Sequence, residues 1–205
     1  ALIELGRSEL VSLSEPIDTR RTLDRLWDDN FVNSCLERAP WNFALRTVEA
    51  TDDPPAPSFG YSYRVAKPSD WLRTARISTN DTFRPLLNTY ADEGSYWYVN
   101  YDTIYVQYVS SHPSYGGNMS KWPESFTQFV GLELASRSAR RLLPTVQEAQ
   151  ALLMGPQGLL ARAAQALRTA KTLDTANQPP EFFPPGTWAR SRTNDWISTA
   201  SNKDS

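Results

Sequence analysis

Apolar positions recur every four residues in the first third of the chain. Leu23, Trp27, Phe31 and Cys35 form one stripe, and Leu26, Val32 and Leu36 widen it. That spacing predicts a helix over 18–39 with a broad buried face. Asp18 suits its N-cap, with Ile17 before it as a hydrophobic staple. Pro40 ends it, because a proline pushes the preceding residue out of the α region. Trp41, Asn42 and Phe43 follow at once, a polar residue between two large rings. This "PWNF" stretch reads as a structural corner, where a helix hands the chain to a different layer.

"TDDPPAPS" (51–58) is a linker by composition, with three prolines, two acids and no apolar period. Beyond it the period becomes two. Tyr61, Tyr63 and Val65 alternate with polar neighbours, as do Trp71, Arg73, Ala75 and Ile77, which predicts Trp71 and Ile77 on the interior face of one strand. "SYWYV" and "TIYVQYV" flank Asn100-Tyr101-Asp102, the pattern of a hairpin with a short loop. A small antiparallel sheet is thus expected from about 60 to 110, followed by a loop, "PSYGGNMSK".

The 3.6 period then returns. Pro123 opens a helix. From 125 to 143 apolar residues fall almost all round it, while Glu133, Arg137, Arg140 and Arg141 share a narrow wedge, with Glu133 and Arg137 in the favourable i,i+4 order. Such a helix is buried on most sides, in a bundle or between subunits. "PTVQE" is a capping box, Thr145 with Glu148. A last helix, about 157–176, has the seam Leu159, Ala163, Ala166, Ala170 and Leu173, small enough for close helix packing. From Gln178 the pattern is lost, yet Phe182, Phe183, Trp188 and Trp196 remain, with Arg190 and Arg192 between the tryptophans. Disordered tails lack aromatics, so this stretch reads as an extended arm that anchors on a partner. The fold class is therefore α+β. A helical bundle (1–50 and 123–177) carries an inserted antiparallel β-domain (51–122) and an extended C-terminal arm (178–205).

Composition narrows the function. Of 205 residues, 40% are hydrophobic, enough for a real core, and the net charge is −2, so no basic field surrounds the chain to grip phosphates. Cys35 stands alone, which excludes an internal disulfide and suits a reducing compartment. No apolar run approaches membrane-spanning length, and Glu4 and Arg7 interrupt the N-terminal apolar stretch, unlike a secretory signal. With one histidine, His112, and one cysteine, no zinc site of ordinary spacing can be drawn. "YGGNMSK" lacks phosphate-loop spacing. Neighbouring acid pairs such as Asp52-Asp53 read as solvated, so no catalytic carboxylate pair, cofactor or metal is expected, and the chain does not read as an enzyme.

Several segments in order carry a resemblance. An opening "AL-x-x-LG-x-S-x-L-x-S-L" (1–13) precedes the "PWNFA" corner (40–44). "GY-x-Y-x-x-x-x-P-x-D-W-L-R" (60–73), "WP-x-x-F" (122–126) and an "A-x-x-L-D-x-A" close that starts at Ala170 follow. Together they resemble the tail tubular protein A family of short-tailed, T7-like phages, the head-to-tail adaptors, over residues 1 to about 176. The resemblance implies a ring, twelvefold in the family, at the head–tail interface of the virion, assembled in the host cytoplasm. Its helices would meet the portal and adjacent copies, its arm would run along the portal, and its β-part would face the nozzle protein. Duplex DNA would pass through without sequence preference, and no membrane is involved. An aromatic β module that binds carbohydrate, or an adhesin, is the alternative, suggested by "SYWYVNYDTIYVQY": Tyr96 and Tyr98 could stack on sugar rings if they face solvent.

Overall fold

The structure, a computed structural model, describes residues 1–6, 18–155 and 157–177. They form an α+β fold of helices and two small three-stranded antiparallel sheets.

The first helix is broken. Helix α1 spans Asp18–Leu26 and α2 spans Val32–Leu36, with a wide turn at Trp27–Phe31 between them. Asp29 (ψ 51°) and Asn30 (φ 53°) leave helical geometry there. Short acids and amides compete with the helix for backbone hydrogen bonds, and Asn tolerates the left-handed region. Here the Asn30 side-chain oxygen accepts from Asn33 Nδ2 at 3.2 Å. The break leaves the four-residue spacing intact but re-aims the stripe. Phe31, Cys35 and Leu36 are buried in the main helical core, whereas no residue of α1 is fully buried and Leu23 packs on a different cluster.

The β-part starts earlier than the linker suggests. Strand β1, Leu45–Thr51, pairs with β6, Thr103–Ser110, from Leu45↔Val109 to Thr51↔Thr103. Residues 45–50, assigned by sequence to the helical part, are thus the first strand of the sheet. Strand β3, Trp71–Ser78, lies on the other side of β6, giving the order β1-β6-β3. The second sheet has the order β2-β5-β4, with β2 Tyr63–Ala66, β4 Ala91–Glu93 and β5 Tyr96–Val99.

The expected hairpin is absent. Strands β5 and β6 lie in different sheets, and Asn100-Tyr101-Asp102 carries the chain from one to the other. The reason is the core. Trp97 and Val99 from one strand and Ile104, Val106 and Tyr108 from the other bury their side chains in one cluster. A hairpin would set these residues side by side on one face with nothing opposite. Folding the second strand over the first lets each layer cover the other.

Strand β3 carries two register irregularities, between Trp71 and Arg73 and between Thr74 and Arg76. Two one-residue bulges restore the original parity. Trp71 therefore packs against the sandwich core that buries Ile77, while Leu72 packs on the helical core.

Helix α3 (Glu124–Leu142) is the central rod, and its buried residues, from Phe126 to Leu142, face several directions. Helix α5 (Leu159–Ala176) packs along it. Helix α4 (Val146–Leu153) is capped as its sequence predicts, with Thr145 Oγ1 accepting from the Glu148 N–H at 3.2 Å. The α5 seam buries Leu159, Ala163 and Ala170 but stops there: Leu173 is 51% exposed.

Candidate assembly site

The corner at residues 40–44 is where the helical and β layers are fastened. Trp41 is 1% exposed. Its ring meets Phe126 edge-on at 4.9 Å between centroids, Phe43 lies 5.0 Å from the same ring, and Trp122 stands perpendicular to it at 5.1 Å. Such pairs add about 0.5–1.5 kcal/mol each beyond the area they bury. The polar residue between the rings has its own task. The Asn42 N–H donates to both carboxylate oxygens of Asp174 at 3.1 Å, and Asn42 Nδ2 donates to the Asp174 carbonyl at 2.7 Å. The last turn of α5 is thereby clasped to the residues that enter β1. Burial pushes the Asp174 carboxyl above its ordinary range, partly offset by the Asn42 N–H. Sequence reasoning placed Trp41 and Phe43 at a corner but gave Asp174 no role. The two halves of the clasp are 132 positions apart.

A second polar node lies in the "PSDW" turn before β3. Asp70 accepts from Arg46 Nη1 at 3.0 Å, from the Tyr108 hydroxyl at 3.1 Å and, in a short contact, from Ser110 Oγ. Its carbonyl accepts from the Ser111 N–H at 2.9 Å. Burial alone would raise the Asp70 carboxyl, but the bonds from Ser110, Arg46 and Tyr108 outweigh it and hold the group below the usual carboxylate range. One side chain thus ties the β2–β3 connection to β1 and β6.

A third node joins the two sheets. Lys67, whose side chain is only 4% exposed, pairs with Asp92 at 2.5 Å and lies 4.0 Å above the Trp71 ring. The indole N–H groups of Trp71 and Trp97 both donate to Thr74 Oγ1, which donates to Asp92 Oδ2 at 2.7 Å. The α3 wedge is partly internal. Glu133 bonds Arg137 at 3.0 Å and reaches Arg38 at 3.7 Å, and Arg137 covers the Phe31 ring at 5.1 Å. Arg140 and Arg141 are exposed and make no ion pair with a described residue.

Among the described residues, two open surfaces bear on assembly. One is a groove of about 370 Å3 beside the corner, lined by Arg38, Arg73, Arg76 and Lys171 with Asp174 as its acid. Three separate elements supply these cations, so no sequence run announces them. The other is the outer face of the second sheet. Register places Arg64, Tyr98 and Tyr96 opposite to buried Val65 and Trp97. Phe59, 59% exposed, packs beside Tyr98, and the Arg64 guanidinium sits 4.5 Å over the Tyr96 ring.

Phe182, Phe183, Trp188, Arg190, Arg192 and Trp196, the expected arm, lie outside the described residues. Among the described residues no group of three His, Cys, Asp or Glu could hold a metal ion, and no helix is long and apolar enough to cross a membrane. No protein-family model matches the chain, and no curated protein is significantly similar to it.

Proposed function

We propose that this chain is a ring-forming structural adaptor, the role implied by its resemblance to the tail tubular protein A family. One observation carries the reading: the clasp of Asn42 on Asp174, set inside the Trp41–Phe43–Phe126 ring cluster. An adaptor must present a helical face to one neighbour and a β face to another at a fixed angle. The clasp and its rings lock that angle at the junction of the two layers.

In this reading the helices meet adjacent copies and the portal, and the sandwich faces the nozzle protein. Residues beyond Gln178 run along the portal. The cationic groove supports docking of an acidic surface, while the net charge of −2 keeps the phosphate grip of a DNA channel weak. The chain works in the tail of the virion, after assembly in the host cytoplasm, with no catalytic step and no cofactor.

The test is the mass of the purified protein with and without portal rings, by native mass spectrometry and co-sedimentation. A closed ring of many copies on the portal is expected, twelve by the family resemblance. A monomer that never joins the portal refutes the proposal. So does duplex-DNA binding at physiological salt in the nanomolar range of specific binders, which would make it a DNA-binding protein instead.

The outward Tyr96 and Tyr98 favour a second reading, a carbohydrate-binding face. Arg64 already covers one side of the Tyr96 ring. A glycan array in which binding is lost on Tyr98→Ala would support it.

A further inference from the structure

The cationic groove beside the corner has a ligand chemistry of its own. Arg38 follows α2, Arg73 and Arg76 stand on β3, and Lys171 lies in the last two turns of α5. Against these four cations the lining offers one acid, Asp174, and both its carboxylate oxygens already accept from the Asn42 N–H. Arg73 is oriented by its Nη1, which donates to the Glu37 carbonyl at 3.1 Å. That bond engages only one edge of the guanidinium fork. Arg38 reaches Glu133 at 3.7 Å, beyond hydrogen-bond range. Like charges gathered in this way repel one another, so the cluster costs stability until an anion enters it.

The rest of the lining decides which anion fits. It includes Leu45 and Ala75, both half-buried and so better covered than the exposed Arg38 and Arg73. A bare phosphate has nothing to place against such apolar side chains. It would also bring about two negative charges to a wall that holds the Asp174 carboxylate and the carbonyl end of α5, where the helix dipole is negative. A carboxylate brings a single charge, and guanidinium forks match it in bidentate pairs. Duplex DNA presents a long rod of phosphates, whereas these cations are confined to one groove of about 370 Å3. A short acidic peptide with an aliphatic side chain meets both the charged and the apolar conditions.

We propose that this groove is a docking site for an acidic segment of another protein, with carboxylates on Arg38, Arg73 and Lys171 and an aliphatic side chain against Leu45 and Ala75. The proposal deepens the adaptor reading and rests on it only for the source of the segment, a neighbouring protein of the assembly.

The test uses the full-length protein and a rhodamine-labelled peptide, Glu-Glu-Leu-Glu-Glu, followed by fluorescence anisotropy. Saturable binding that weakens with added salt is expected. It should be several-fold weaker for Glu-Glu-Ala-Glu-Glu and absent for Lys-Lys-Leu-Lys-Lys. Arg73→Glu and Lys171→Glu should each weaken it by about tenfold or more, with an unchanged circular dichroism spectrum. Arg140→Glu, which reverses an exposed arginine outside the groove, should change it by less than about twofold. A water-soluble carbodiimide gives a second readout. It should couple a peptide carboxylate to the Lys171 amine in preference to that of exposed Lys121, as mapped by mass spectrometry. Lys171→Arg should lose this adduct and keep the affinity. Four results would overturn the proposal: no binding, binding that survives both reversals, an adduct shared equally with Lys121, or displacement by inorganic pyrophosphate at lower concentration than by unlabelled peptide. So would a carbodiimide cross-link from Lys171 to an acid of its own chain other than Asp174 before peptide is added, since the groove would then be filled from within. Any of these alongside a ring that still forms on the portal would leave the adaptor reading standing. Peptide binding by a protein that forms no ring would sink that reading alone.

Discussion

Replacing Asp70 by alanine removes the acceptor shared by three side chains. Two of its donors, the hydroxyls of Tyr108 and Ser110, belong to fully buried residues, so both O–H groups lose their acceptor, while Ser110 Oγ still accepts from the His112 N–H at 3.1 Å. A buried polar group left unpaired costs about 1–3 kcal/mol, which gives about 2–6 kcal/mol for the pair. Arg46 is about one-third exposed, regains solvent, and adds little. Urea unfolding followed by tryptophan fluorescence should therefore show a lower midpoint at unchanged slope. Arg46→Ala, by the same reasoning, should cost less than about 1 kcal/mol. A double-mutant cycle of Asp70→Ala with Tyr108→Phe should return a coupling of about 1–3 kcal/mol. The pH dependence has a definite sign. The folded-state carboxyl lies below its ordinary 3.8. Its stabilising effect is thus complete at neutral pH and is lost as pH falls below about 3.8 and through the lower folded value. Asp70→Ala should flatten that acid limb. An Asp70→Ala protein with the wild-type midpoint would refute the assignment of Asp70 as the tie between the β2–β3 connection, β1 and β6.

The other predictions concern the corner, a loop and the thiol. Trp41→Ala should cost about 3–5 kcal/mol, the range for a large core aromatic, read by thermal unfolding; Trp71→Ala, at a half-buried site, should cost less. A wild-type melting temperature for Trp41→Ala would show that the ring cluster does not hold the corner. Gly116→Ala should destabilise sharply or abolish folding, because a Cβ there would lie 2.5 Å from the Ser110 carbonyl oxygen and 2.9 Å from the Ala44 Cβ. Normal soluble expression and an unchanged urea midpoint would contradict that packing. Burial pushes the Cys35 thiol up to about 11, so a disulfide reagent at pH 8 should leave it unmodified until denaturant is added.

The local chemistry of the helices was legible in sequence. Helical spacing marked the stripe from Leu23 to Cys35, the rod from 125 to 143 and the α5 seam. The Thr145 cap was written in its own four residues. These features depend on neighbours within one or two turns, which a linear pattern contains. Alternation likewise placed strands at 61–65, 71–77 and 103–109, the first of them starting two residues later in the structure, at Tyr63. It could not decide which strands pair. "SYWYV" and "TIYVQYV" read equally well as hairpin arms or as facing layers, because burial on one side gives the same alternation in both. The choice fell to Trp97 and Tyr108, which need a layer opposite them. The break at Asp29-Asn30 was hidden for a related reason, since it re-aims the apolar stripe without changing its spacing. The corner shows the division most clearly. Sequence pointed to Trp41 and Phe43 as its residues, from a proline stop followed by rings. Only the tertiary structure gave Asn42 its partner in Asp174 and gathered Arg38, Arg73, Arg76 and Lys171 into one groove. A charge's effect depends on what lies within a few ångströms of it, and the fold, not the sequence order, sets those distances.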